Sequence, residues 1–264
     1  MNLRQVSMLC IFALLGVSFA SFSHGLGQDG KGPIVPAKAE LSPLEQPLAL
    51  LQEAKRNYTA VKDYTCTMVS QERVRGKLEE RQIMQLKMKT EPFSVYMKWL
   101  APKDSVNQEV AFVAGKNNNK MRVKSVKLGQ GGLLGFMSID PNDPRVLERS
   151  RHNILEAGIG NMIEQNLAHW EKTRKVGQPR VEIREAKYND RDCICIEVAS
   201  AQRDTTSYCY RSVIYLEKAS KLPIRLENYD WPQTGGAPSG DLLEEFSYVN
   251  LRFNVGLTND DFAK

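Results

Sequence analysis

Met84-Gln85-Leu86-Lys87-Met88-Lys89 alternates apolar and polar without a break, and after Thr90-Glu91-Pro92 the pattern resumes as Phe93-Ser94-Val95-Tyr96-Met97-Lys98-Trp99. A period of two sends successive side chains to opposite faces of a strand, so one face is buried and the other meets water. Two such runs joined by a short turn pair antiparallel. Met84, Leu86, Met88, Val95, Met97 and Trp99 then line one face of two neighbouring strands, and Phe112 extends it from a later run. Methionine is flexible and polarizable, so a methionine-rich face adapts to varied acyl chains. The alternative is that a helix covers this face permanently as core.

The same rhythm continues in both directions. Tyr64, Cys66, Met68 and Ser70 alternate with Thr65, Thr67, Val69 and Gln71 on the N-terminal side. Val110–Phe112 and Met121–Val123 follow on the other. Later runs cover Val181–Lys187, Cys193–Val198, Ser207–Leu216, Ile224–Tyr229 and Leu242–Phe253. Gly76-Lys77, Lys103-Asp104, Asn117-Asn118-Asn119 and Lys218-Ala219-Ser220-Lys221 are turn-like separators. Short spacers predict an antiparallel meander of about ten strands. Gly129-Gln130-Gly131-Gly132-Leu133-Leu134-Gly135 breaks the rhythm as a mobile loop and lacks the ending of a phosphate loop.

Two helices interrupt the strands. Ser42 with Glu45 three residues on predicts a capped start, Pro47 pushes it later, and Leu48, Leu51 and Tyr58 recur at helical spacing towards an end near Lys62-Asp63. Asp143 and Pro144 open a longer second helix, in which Ile154, Leu155, Ile159, Met162, Ile163, Leu167 and Trp170 form one apolar stripe. Gly158 and Gly160 fall inside that stripe, where glycine permits close packing on another element.

The N-terminus predicts export. Arg4 precedes an apolar run from Val6 to Phe19, and Ser18 and Ala20 fit a cut after Ala20. Residues 21–45 are rich in Gly, Pro and Lys and read as a disordered linker. Residues 46–264 remain as one domain. The 264-residue chain carries 36 Lys+Arg against 31 Asp+Glu. Losing residues 1–20 removes only Arg4, leaving 35 against 31, a mild +4. The basic residues alternate with apolar ones along strands, which is the solvated face of a sheet and not a nucleic-acid surface.

Cys10 leaves with the signal, and Cys66, Cys193, Cys195 and Cys209 remain. An even number in an exported chain suggests disulfides, with three pairings open. A hairpin centred near Gln202 would set Cys195 opposite Cys209.

The chemical motifs are sparse. His24 lies in the linker, and His152 and His169 are seventeen residues apart, not at metal-ligand spacing. Gly-x-Ser-x-Gly, His-Glu-x-x-His and the dinucleotide fingerprint are absent from the sequence, and Cys193-x-Cys195 is the wrong spacing for a redox pair. His152 as a general base is weighed against a polar helix-end residue. Asp143-Pro144-Arg145 and Ser150-Arg151-His152 could gather as a polar cluster, or be ordinary capping and surface charge. No catalytic residue, cofactor or metal is expected.

The Met84–Lys89 and Val95–Leu100 runs resemble the early strands of the bacterial lipoprotein-carrier (LolA-like) superfamily. So do Ile214–Glu217 and Leu222–Asp230, and Asn254–Phe262 is similar to that group's closing segment. Ser138-Ile139-Asp140-Pro141 and His152–Gly160 resemble a family of uncharacterised exported bacterial proteins with a domain of unknown function. The resemblance spans roughly residues 46–262. It implies an α+β fold: a strongly curved antiparallel sheet, an incomplete β-barrel, with helices packed on its concave face. It further implies that acyl chains lie in the hollow beneath a helical lid. Here the lid is the 153–172 helix, with Ile159, Met162, Ile163 and Trp170 facing inward. In one respect the chain departs from the group: no single position matches the carriers' functional arginine.

Three functions follow as expectations. The first is an extracytoplasmic carrier or sensor of a lipid, lipoprotein or other amphipathic ligand, with transient contact to a membrane surface. The second is a non-catalytic envelope scaffold that binds other envelope proteins. The third, an enzyme, ranks last for want of a nucleophile–base pair.

Overall fold

In the computed structural model, residues 42–125, 135–148, 150–203 and 207–264 are described. The expected signal at 1–20, nearly all of the 21–45 linker and most of the 129–135 glycine stretch lie outside them. Strands β1 (Asp63–Val74), β2 (Lys77–Leu78), β3 (Gln82–Lys89), β4 (Ser94–Ala101), β5 (Glu109–Val113), β6 (Met121–Lys124) and β7 (Met137–Ile139) form a first run. A second run holds β8 (Arg180–Tyr188), β9 (Arg191–Ala199), β10 (Arg211–Glu217), β11 (Pro223–Tyr229) and β12 (Leu242–Phe253). Two of these twelve, β2 and β7, are too short to show a period and so escape a reading of alternation.

Every pairing is antiparallel. The order is β7-β6-β5-β4-β3-β1-β12-β11-β10-β9-β8, with β2 paired to β1 off this path. Two meanders are therefore stitched together where β12 returns beside β1. The edges β7 and β8 do not meet, so the barrel is incomplete. Register breaks at Thr65/Thr67, Ile83/Met84, Tyr215/Leu216 and Asn228/Tyr229 sit along the middle strands. Bulges of this kind bend a strand and increase its twist, which curves the sheet.

That topology dictates where the helices go. The chain leaves the sheet at β7, one edge, and re-enters at β8, the other, so the connection must cross a whole face. It crosses as α2 (Pro144–Leu147), a 3₁₀ turn (Ile154–Glu156) and α3 (Ile159–Val176), and α1 (Glu45–Tyr58) lies against α3. Among the described residues no helix is long and apolar enough to cross a membrane.

The helices differ from expectation at their ends. α1 starts at Glu45 without a side-chain cap on Leu44, and Ser42 Oγ only accepts from the Leu44 amide at 3.4 Å. It stops at Tyr58 because Asp63 already belongs to β1, its carboxylate accepting from the amides of Val255, Gly256 and Leu257. The second expected helix is broken into three. Asp143 does cap, but it caps the four-residue α2. Gly158 is no interior residue; at φ +100° it is the turn that lets α3 begin.

Candidate binding site

The expected apolar face forms as one surface. Met84 stands opposite Trp99, Leu86 opposite Met97 and Met88 opposite Val95, and Phe112 follows opposite Val95 on the far side. Residues directly opposite across antiparallel strands share a face, so all seven look the same way. Tyr64, Cys66 and Met68 of β1 continue it through their pairing with Met88, Leu86 and Met84. All but Trp99 are buried, and the Trp99 indole N–H donates to Gln82 Oε1 at 2.8 Å.

α3 covers the same hollow. Ile159, Met162, Ile163, Leu167 and Trp170 are buried in one cluster with the sheet residues; of the rest of the expected stripe, Ile154 joins that cluster from the 3₁₀ turn, whereas Leu155 beside it is exposed. The entry to the helix is tight: a Cβ on Gly158 would lie 2.5 Å from Met88 Cε, and one on Gly160 2.5 Å from Tyr58. The Ile159 amide donates to the Tyr64 hydroxyl at 3.0 Å, and further along the Trp170 indole N–H donates to Ser212 Oγ at 2.8 Å. A cavity of about 10 Å³ at the helix end, lined by Thr173, Val176, Gly177 and Ser200, has room for roughly one water. The helix's own side chains thus occupy the hollow.

The cysteine geometry is a correction. Cys195 stands opposite Tyr215 and Cys193 opposite Glu217, not opposite Cys209. The link from β9 to β10 takes up residues 200–210, so Cys209 precedes the strand instead of pairing in it. Cys66, Cys193, Cys195 and Cys209 are buried free thiols. Burial pushes the Cys66 and Cys209 thiols well up, which keeps them protonated and poor nucleophiles.

One end of the concave face is polar, and here the sequence reading missed most of the residues. Glu72 of β1 stands opposite Glu244 of β12, and Glu244 opposite Asn228 of β11, so the row continues the face of Met68 and Tyr248. Glu244 is 1% exposed. Its Oε2 accepts from His152 Nε2 at 2.8 Å, the Tyr208 hydroxyl at 2.5 Å and Arg151 Nε at 3.2 Å, and its Oε1 accepts from Asn228 Nδ2 at 2.7 Å. Glu72 accepts from the Arg151 amide at 2.6 Å and from Ser150 Oγ. The Ser150-Arg151-His152 cluster therefore forms, but its partners are strand carboxylates, not the Asp143-Arg145 pair, which is a separate exposed contact. A signal for it existed: Glu72 and Glu244 occupy inward positions of their strands, in phase with Met68 and Phe246.

His152 is the charged centre of this group. Nδ1 lies 2.7 Å from Glu156 Oε2 while Nε2 lies 2.8 Å from Glu244 Oε2. Ionised carboxylates only accept, so both ring nitrogens donate and the ring is an imidazolium. Burial opposes that charge, but the hydrogen bond and charge of Glu244, with Glu156 and Glu72, outweigh it and raise His152 to about 9. Burial likewise opposes ionisation of Glu244, and His152 reverses it and holds the carboxyl below its ordinary value. His169 is the opposite case: burial and then Lys172 lower it to about 4, so it is neutral where its Nε2 meets Cys209 Sγ at 3.4 Å.

No curated protein matches the chain. Among solved structures it is similar to the Pseudomonas aeruginosa MucA/MucB complex, with 14% identity over 83% of this chain and 61% of that one and a TM-score of 0.48. It is similar to the Mycobacterium tuberculosis lipoprotein LppX, with 9% identity, 80% and 96% coverage and a TM-score of 0.44. A LolA superfamily protein from Nitrosomonas europaea gives 10% identity, 82% and 96% coverage and a TM-score of 0.34. Residues 61–264 match the family described as "Protein of unknown function (DUF1571)". With its open, curved antiparallel sheet, helices across the hollow and this match over most of its length, the chain belongs to the DUF1571 family.

Proposed function

We propose that this protein is a non-catalytic binding protein that works outside the cytoplasm after losing residues 1–20, and that residues 46–264 hold the acyl part of a lipid, lipoprotein or similar amphipath. The ligand face is Met84, Leu86, Met88, Val95, Met97, Trp99 and Phe112, and the lid is α3. The observation that carries the reading is the pairing of a continuous methionine-rich concave face with a separately entered helix that covers it.

The closed hollow makes a demand on energy. Shifting α3 exposes Met162, Ile163, Leu167 and Trp170, at about 1.5–3 kcal/mol for each buried apolar side chain. An acyl chain of ~16 carbons regains about 0.8 kcal/mol per buried CH₂, enough to offset that exposure. A ligand with one or two such chains can therefore replace the helix, whereas a small apolar molecule cannot.

Native mass spectrometry of protein purified from an exporting host tests this. Co-purified lipid, displaced or lost in a Met88→Glu variant that still folds, is the expected result. Protein that never retains lipid, even after incubation with vesicles, would overturn the reading and leave the curved sheet as a scaffold for other envelope proteins.

A further inference from the structure

The polar row lies beside the one place where the crossover must bend. Ser150, Arg151 and His152 are consecutive, and all three dock on Glu72 or Glu244 of adjacent strands. Six residues after His152 the chain turns at Gly158 and becomes α3, with Met88 packed directly under the turn. Whatever holds 150–152 on the sheet thus holds the root of the helix. Elsewhere α3 is held mainly by apolar contacts, with the Ile159–Tyr64 and Trp170–Ser212 hydrogen bonds and the His169–Cys209 contact towards the sheet and exposed ion pairs to α1.

Buried ion pairs are poor fasteners in net energy, because desolvation consumes most of the attraction. An apolar plug at this position would hold α3 at least as firmly. Their distinctive property is that removing one charge leaves the other uncompensated, which turns a hold into a push. We propose that Ser150–His152 with Glu72 and Glu244 is a pH-sensitive latch that pins the root of α3 to the sheet while the His152 ring is charged and frees it when that ring loses its proton.

The groups facing His152 support this assignment. Glu244 and the Phe246 ring approach from β12, Glu72 from β1, Glu156 from the 3₁₀ turn, the Tyr208 hydroxyl from the segment before β10, and Arg151 from its own segment. Arg151 keeps its charge throughout. Burial, reinforced by Glu244, raises Tyr208, and burial raises the neighbouring Cys209 thiol as well, so neither ionises as pH climbs from neutrality. Burial, only partly countered by the Arg151 amide, also raises Glu72, so acidification neutralises Glu72 and leaves His152 charged. His152 is therefore the group among these that changes charge on the alkaline side. Its folded value, about 9, lies above the ordinary 6.5. The contribution of the charged ring is then fully present below about pH 6.5 and is lost as pH rises through about 9.

The latch acts on the hollow used by the proposed function but needs no ligand, so its test is run without lipid. Hydrogen exchange of the purified full chain, corrected for the intrinsic pH effect, reads the Ile159–Leu167 amides against those of β9–β12. Above about pH 9 the α3 amides should lose at least about tenfold of their protection, one pKa unit's worth, while the sheet keeps its own. His152→Gln should show that loss already at pH 7 and flatten the pH response; Glu244→Gln should do the same if the glutamine variant of His152 does not fold. Helix protection that stays constant across the range, or that falls only together with the sheet, overturns the latch. Lipid found or not found by mass spectrometry bears on the proposed function alone.

Discussion

Glu244 and Glu245 are neighbours in one strand and both are buried, yet they point into opposite worlds. Glu244 faces the hollow and is held by His152 and Arg151, which belong to the covering crossover, together with Tyr208 and Asn228. Glu245 faces outward and is held by the sheet itself, with Arg225 Nη1 at 3.0 Å and Arg81 Nη2 at 3.1 Å. Arg225 is further fixed by Glu227 at 2.7 Å and lies over the Tyr188 ring at 4.7 Å. One glutamate is tied across elements to a group that titrates; the other is tied within the sheet to groups that do not. The outer ladder stiffens the strands, and the inner cluster joins the sheet to the crossover that covers it.

The sharpest way to break this contrast is to delete each carboxylate. Glu244→Ala strands Arg151 and His152 in a buried site and should destabilise the fold by about 3–5 kcal/mol. Glu245→Ala leaves Arg225 with Glu227 and its aromatic neighbours and should remove only about 1–3 kcal/mol. Urea unfolding of the two variants at pH 7 measures both. Equal losses would mean that the two faces are equivalent and that the inner cluster has no special dependence on its covering segment.

A second difference appears with pH. Stability carried by His152 is present below about pH 6.5 and declines as pH rises through about 9. The decline is at most ~3.5 kcal/mol, since each pKa unit between 6.5 and about 9 corresponds to about 1.4 kcal/mol. Wild type and Glu245→Gln should both show it in melting curves taken from pH 6 to 10, and His152→Gln should not. A parallel slope in the histidine variant would place the titrating group elsewhere.

How much of this was legible follows from the same two residues. Alternation in β3 and β4 revealed the apolar face, because Met84, Leu86, Met88, Val95, Met97 and Trp99 fall on one side while Gln85, Lys87, Lys89, Ser94 and Lys98 fall on the other. It was harder to read at Glu244-Glu245, where two adjacent carboxylates look alike and only the phase of Phe246 and Tyr248 sets Glu244 inward. Ser150-Arg151-His152 was visible as a polar run, but its partners lie 78 and more residues away in sequence and are brought together only by the return of β12 beside β1. The cysteine register failed for a local reason: four residues of assumed strand, Ser207–Tyr210, are loop. The apolar stripe of α3 was legible; its beginning was not, because glycine inside a periodic stripe looks the same whether it packs or turns.

Gly158 provides an intermediate test. Its φ of +100° is unfavourable for any residue with a Cβ, and an added Cβ would meet Met88 and the Tyr64 hydroxyl at 2.5 and 2.8 Å. Gly158→Ala should destabilise by about 1–3 kcal/mol and, unlike Glu245→Ala, should loosen α3 before the sheet. Hydrogen exchange by segment separates these outcomes. Uniform loss of protection would mean that the root of the helix is part of the same cooperative unit as the strands.

The smallest expected effect is the most useful control. Lys55 and Glu164 join α1 to α3 at 2.8 Å, with side chains 49% and 55% exposed. On a list of contacts this pair resembles His152–Glu244: two helix-associated charges in good geometry. In water, however, screening and side-chain entropy consume most of the attraction, and such a pair is worth about 0–1 kcal/mol. Lys55→Met should leave the melting temperature nearly unchanged and leave exchange in α3 as it was. If it instead released α3 as far as His152→Gln does, the hold on the helix would lie in its pairing with α1, and burial of the charge would have ceased to be the distinction that matters.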